Sequence, residues 1–172
     1  MSILRVTNKP PAWAALCFKM GTDLVKQAGD PELVYNLSGR LYKTPDDWIM
    51  LSVPNALVRG VFAAMTEPGI ELPPQEDSID LNAHISVIRS AEDAQLGGGD
   101  KITERGKQYT YTLGRIYSVE PEGWPEMSKV WYIKVHSPEL QALRRSYGLS
   151  GLPRDGKFDF HISVAVRRKK VL

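Results

Sequence analysis

The chain has a single cysteine, Cys17, so no internal disulfide can form. That thiol sits in an apolar stretch and is expected to be a small buried hydrophobe. Histidine is almost as scarce: three occur in 172 residues, and no Cys/His spacing suits a zinc site. Long apolar runs are missing, since none approaches the roughly 18 to 20 residues that span a bilayer. The longest early one, Ala12 to Phe18, follows Pro10-Pro11 and lacks a small-residue cleavage site, so no membrane contact and a cytoplasmic location are expected. Neither sign of charge prevails: 22 Lys and Arg against 20 Asp and Glu leave a net +2, too mild for a duplex-binding face but open to small anionic substrates. The one dense basic cluster, Arg167 to Lys170, reads as a solvated strand end, with phosphate steering as the alternative. No Gly-x-Ser-x-Gly elbow occurs, because Leu149-Ser150-Gly151 lacks the first glycine, and this argues against a Ser-His-Asp hydrolase. Gly97-Gly98-Gly99 is not closed by Gly-Lys-Ser/Thr, so it reads as a flexible connector or a lid rather than a phosphate loop.

What is present is repetition. Two of the three histidines lie in identical tetrapeptides, His84-Ile85-Ser86-Val87 and His161-Ile162-Ser163-Val164. Each closes a segment with the same order of signals. Gly39-Arg40-Leu41-Tyr42 leads to a strand-like run Trp48 to Val53, a helix from Pro54 to about Met65, a Pro-rich loop from Thr66 to Asp80, and then the first motif. Gly114-Arg115-Ile116-Tyr117 leads to Trp131 to Val135, a helix opened by Ser137-Pro138-Glu139 and running to about Tyr147, a loop from Gly148 to Lys157, and then the second motif. Before the repeat, a short strand at Ile3 to Val6, a helix from Pro11 to about Met20 stopped by Gly21, and a second helical piece from Thr22 to Ala28 are expected. The domain reading is one body over 1–172. It has a helical extension over 1–36, a first half over about 37–90, and a second half over about 108–172.

In a strand, residues i and i+2 share a face, so each motif offers an imidazole and a hydroxyl to one surface while Ile and Val pack inward. Two imidazoles on opposite sides of a phosphate suit phosphodiester transfer. A neutral ring takes a proton from the attacking hydroxyl and an imidazolium gives one to the leaving oxygen, and an ordinary imidazole titrates near pH 6.5, so one proton can be shared near neutrality. Ser86 and Ser163 are placed to donate to the non-bridging oxygens. This scheme calls for no metal or cofactor, and either histidine can take either part. Arg40 with Tyr42, and Arg115 with Tyr117, are candidate phosphate and base contacts, or alternatively cross-strand packing pairs. Trp124, in a loop, is a further candidate substrate contact. Trp48 and Trp131 read as core and His136 as a surface or junction residue. A module that binds a nucleotide or RNA without turnover, and a purely structural protein, are the alternatives from other classes.

The two His-x-Ser motifs with apolar flanks, one per repeated half, resemble those of the 2H phosphoesterases, the LigT-like or cyclic phosphodiesterase superfamily. The likeness runs from about Gly39 to Val166 and has serine where threonine is commoner. It implies an α+β, bilobal, duplicated fold of mainly antiparallel sheets with helices packed outside and the motif strands at the base of a central cleft. It also implies catalysis by His84, Ser86, His161 and Ser163 without metal on RNA-type phosphodiesters: 2′,3′-cyclic phosphates, 2′-5′ or 3′-5′ linkages. In its small size the chain is similar to phage nucleases that degrade the cyclic oligonucleotide signals of bacterial CBASS immunity, which would place it in a host cytoplasm with no obligatory protein partner.

Overall fold

Alternation of burial through the two motifs builds the strands that carry the histidines. In β3 (His84–Ile88) Ile85 and Val87 are fully buried while His84 and Ser86 stay half-buried, and in β6 (Phe160–Arg168) Phe160, Ile162 and Val164 are buried while His161 and Ser163 are not. The structure is a computed structural model and describes residues 12–26, 35–74, 81–98 and 100–170. The strand expected at Ile3 to Val6 lies outside the described residues, as do Gly99 and part of the Pro-rich loop.

In chain order the elements are α1 (Ala12–Lys26), β1 (Asn36–Lys43), β2 (Ile49–Ser52), α2 (Asn55–Ala64), β3, α3 (Ser90–Gln95), β4 (Gln108–Val119), β5 (Met127–His136), α4 (Pro138–Ser146) and β6. The protein is therefore α+β, with one antiparallel sheet of order β3-β2-β1-β4-β5-β6 and four helices among the described residues. The sheet is joined at its middle, where β1 pairs with β4, and it curls so that its two outermost strands, β3 and β6, lie against each other. One core cluster runs through the whole, combining Leu57, Val58 and Val61 of α2 and Leu140 and Leu143 of α4 with the buried faces of all six strands. The helices are exchanged between the halves: α2 packs on β6 and α4 reaches β3. No helix among the described residues is long and apolar enough to cross a membrane.

Three local expectations need correction. Gly21 does not stop a helix, because α1 continues through it to Lys26. A Cβ at Gly21 would meet the backbone of Gly60 and Val61, so glycine is there to let α1 and α2 approach closely. The connector holding the glycines is not structureless either. It contains the short helix α3 and the fully buried Ile102, and the conformational freedom of glycine is used at its turns, at Gly97 with φ 96° and Gly98 with φ 63° after α3 and at Gly106 with φ 85° before β4. Trp48 is half-buried under the Arg89 guanidinium at 5.8 Å, whereas Trp131 is core as expected.

The Ser137-Pro138 start behaves as its chemistry dictates. Ser137 Oγ accepts the Leu140 N–H at 3.2 Å, Pro138 opens the first turn and Glu139 sits in it. The same hydroxyl donates to the Thr110 carbonyl at 2.6 Å, tying the helix start to β4. Cys17 is buried as expected, and burial pushes its thiol pKa up.

Candidate active site

With β3 against β6, the two motifs face one cleft. His84, Ser86, His161 and Ser163 line it together, and the wall is completed by Pro73, Pro74 and the turn Leu81-Asn82-Ala83. Its volume of about 120 Å³ admits a phosphate-sized group with its immediate substituents. The turn into β3 is held by backbone and side-chain bonds: Ala83 N–H donates to Asn55 Oδ1 at 2.8 Å, and Val53 N–H donates to the Ala83 carbonyl at 2.9 Å. Asn82 takes the left-handed φ of 43°, which asparagine tolerates better than most side chains.

The two imidazoles are held in the same way. Nδ1 of His84 is 2.8 Å from the carbonyl oxygen of Asn82, and Nδ1 of His161 is 3.0 Å from that of Asp159, two residues upstream in each case. A carbonyl oxygen only accepts, so Nδ1 must carry the hydrogen in both rings. That fixes the tautomer and leaves Nε2 of each ring for the cleft. Asp159 is itself fixed, since its carboxylate pairs with Lys134 at 3.0 Å, and this hydrogen bond pushes the Lys134 pKa up.

The sheet face around the histidines is made of cross-strand rows. On β3 and its neighbours, Ser52 faces His84, and the Ser52 hydroxyl accepts the Arg40 backbone N–H at 2.9 Å. Tyr42 faces Met50, which faces Ser86, and the Tyr42 hydroxyl donates to Met50 Sδ at 3.6 Å. On β6 and its neighbours, Lys134 faces His161, and Tyr117 faces Tyr132, which faces Ser163. The Tyr132 ring stands edge-on to His161 with centroids 5.4 Å apart. Arg115 is exposed at the bulge of β4 that lies between Leu113 and Ile116.

The flanking candidates therefore border the site without lining the cleft. The Arg40 guanidinium donates to the Gly106 carbonyl at 3.1 Å, and Tyr42 is half-buried, with burial pushing its pKa up. Trp124 is not among the cleft residues. It packs on Met127, Val130 and Val166, and its indole N–H donates to Glu126 at 2.9 Å, which accounts for a large aromatic in that loop. The basic tail is engaged as well. Arg167 pairs with Glu67 at 3.4 Å and Arg168 with Glu71 at 3.0 Å, while Glu71 and Val166 exchange backbone hydrogen bonds. The Pro-rich segment is thereby fastened along the edge of β6, which sets Pro73 and Pro74 against the cleft.

Three contributors escaped the sequence reading. Tyr132 and Lys134 alternate with the buried Trp131, Ile133 and Val135, so period-two patterning did mark them as facing the histidines' side. Arg144 carries no such mark. It is fully buried and spends its donors on the carbonyls of Ser150, Val87 and Leu152 and on both oxygens of Glu92, at 2.6 to 3.1 Å. Val87 belongs to the first motif, so this one side chain holds β3, α3 and the loop before β6 together. Burial pushes the Glu92 carboxyl up, but its bonds with Arg144 and the Arg89 backbone outweigh that and hold it below the ordinary carboxylate range.

Among the described residues no three His, Cys, Asp or Glu side chains gather into a metal-sized group. Comparisons with curated proteins and with solved structures give no match. Residues 48–172, more than half of the chain and containing both His-x-Ser motifs, match the family model described as Swiss Army Knife, 2H phosphoesterase domain. The chain belongs to the 2H phosphoesterase family, whose members are hydrolases of phosphodiester bonds.

Proposed function

We propose that the protein cleaves RNA-type phosphodiester bonds by metal-independent acid-base catalysis, with His84 and His161 as the proton-transferring pair. The observation that carries this reading is the matched clamp: two imidazoles in one cleft, each tied through Nδ1 to the carbonyl two residues upstream. In the reaction, the neutral Nε2 of one ring takes the proton of the attacking hydroxyl as its oxygen bonds to phosphorus. The protonated Nε2 of the other ring delivers its proton to the leaving oxygen as the phosphorus–oxygen bond breaks. Ser86 and Ser163 donate to the non-bridging oxygens, where charge grows in the transition state. Arg40, Arg115, Tyr42 and Tyr117 border the phosphate position as contacts to the rest of the substrate.

The chain also reads as a bilobal duplication with a central cleft. Supporting this are the same succession of two strands, helix and motif strand in each half and the same histidine clamp in each motif. A panel of 2′,3′-cyclic nucleotides, linear 2′-5′ and 3′-5′ oligonucleotides, and cyclic di- and trinucleotides, all in excess EDTA, tests the proposal. Turnover of at least one class is expected, and the class cleaved fastest separates RNA-end processing from destruction of a cyclic oligonucleotide signal. Activity that vanishes on chelation and returns with a divalent ion would overturn it.

A further inference from the structure

The two halves match at the histidines but differ beside them. In the row ending at Ser86, the middle position is Met50, and the hydroxyl of Tyr42 is turned onto its sulfur. In the row ending at Ser163, the middle position is Tyr132, and Tyr117 stacks on it with centroids 6.0 Å apart and planes 28° from parallel. Tyr132 also touches His161 edge-on, so an aromatic ladder leads outward from one catalytic candidate and has no equal at the other. Its last ring is open: Tyr117 is 45% exposed, one of three large apolar side chains so exposed among the described residues. An exposed tyrosine held flat by a second ring costs surface without filling core. Among the described residues its outer face meets no further ring, so it is open to a flat partner from outside the chain.

We infer that Tyr117, backed by Tyr132, is a stacking subsite for a nucleobase, so that the substrate's nucleoside lies on the second-half flank of the cleft. This rests on the phosphodiesterase reading and adds a direction to it. Strand spacing sets the scale: Tyr132 and Tyr117 lie one and two strands from β6, roughly 5 and 10 Å away, which brackets the reach from a phosphate to the base of the same nucleotide. Arg115, exposed on the β4 bulge two residues before Tyr117, adds positive charge to this flank, while Lys134, opposite His161, is paired with Asp159. Stacking is tolerant of base identity, so the subsite demands a nucleobase rather than a particular one.

The test compares wild type, Tyr117→Phe and Tyr117→Ala on adenosine 2′,3′-cyclic phosphate and on the base-less methyl riboside 2′,3′-cyclic phosphate. Binding of adenosine 3′-monophosphate and of methyl riboside 3-phosphate is measured in parallel by calorimetry. Wild type should prefer the base-bearing member of each pair. Tyr117→Ala should cut that preference on the order of 10- to 100-fold, and Tyr117→Phe should keep it. A preference unchanged in Tyr117→Ala, or no preference in wild type, overturns the subsite even where turnover is intact. Base-dependent binding that Tyr117→Ala loses, without turnover of any class in the oligonucleotide panel, would instead count against the catalytic reading and leave the subsite standing.

Discussion

Tying Nδ1 of both rings to a carbonyl leaves one nitrogen per ring for chemistry, so each histidine has a single way to act. Replacing His84 or His161 by alanine should each lower kcat by about 10² to 10⁴-fold on the best substrate of the panel. Residues acting as one unit are not additive, so the double replacement should be little worse than either single one. Steady-state rates of the three variants check this. Arg144→Met is a second expectation at this scale. It strips a buried ion pair of its cation and orphans the carbonyls of Val87, Ser150 and Leu152, and should cost about 3 to 5 kcal/mol in urea denaturation. The folded-state pKa of Glu92 lies below its ordinary value of 4.5, so its contribution is present above that value and is lost as pH falls through the depressed one. Wild-type stability should accordingly drop below about pH 4.5, and Arg144→Met should lose part of that dependence. The histidines were legible because the same four residues are spelled twice with strand alternation. Arg144 was not, because its partners are mostly backbone carbonyls far along the chain, and beside Arg145 it looks like a surface arginine in the last turn of a helix.

Among the elements, α4 was readable from its first three residues because a cap acts within one turn. Ser137→Ala removes both the Leu140 cap and the donor to Thr110, and should cost about 1 to 2 kcal/mol by thermal or urea unfolding. Glycine gave the opposite lesson. At Gly21 alanine is the better helix former by about 1 kcal/mol, yet its Cβ would strike the backbone of α2, which cannot yield as a flexible side chain does. Gly21→Ala should therefore destabilise, and a stability gain in urea would contradict the packing reason given for this glycine. A stop signal and a close helix crossing call for the same residue, and only the partner helix tells them apart. The six-residue α3 was hidden for another reason. Its sequence is polar and short, and it is held by the Glu92 carboxylate, which accepts the Arg89 N–H at 2.9 Å and pairs with Arg144.

At the scale of the molecule, the halves read from the sequence are bound to each other at every level. They share one sheet through β1 and β4, exchange helices across the core, and are stitched by Arg144 on one side and the Glu71–Val166 bonds on the other. Unfolding followed by tryptophan fluorescence and by far-ultraviolet circular dichroism should give one coincident transition, whereas two separated transitions would mean two independent bodies. The order of strands and helices was legible because the repeat states it twice. The single curled sheet was not, because nothing local in β1 or β4 announces that they pair. That curl brings β3 to β6, and the central claim depends on it: two imidazoles act on one phosphate. The most direct test is the rate of phosphodiester cleavage against pH, in excess EDTA, for wild type and for each single histidine-to-alanine variant. The account predicts a bell for wild type and, in each variant, a strongly reduced rate with one limb missing. A wild-type rate abolished by the chelator, or a variant that keeps the full bell near the wild-type rate, would contradict it.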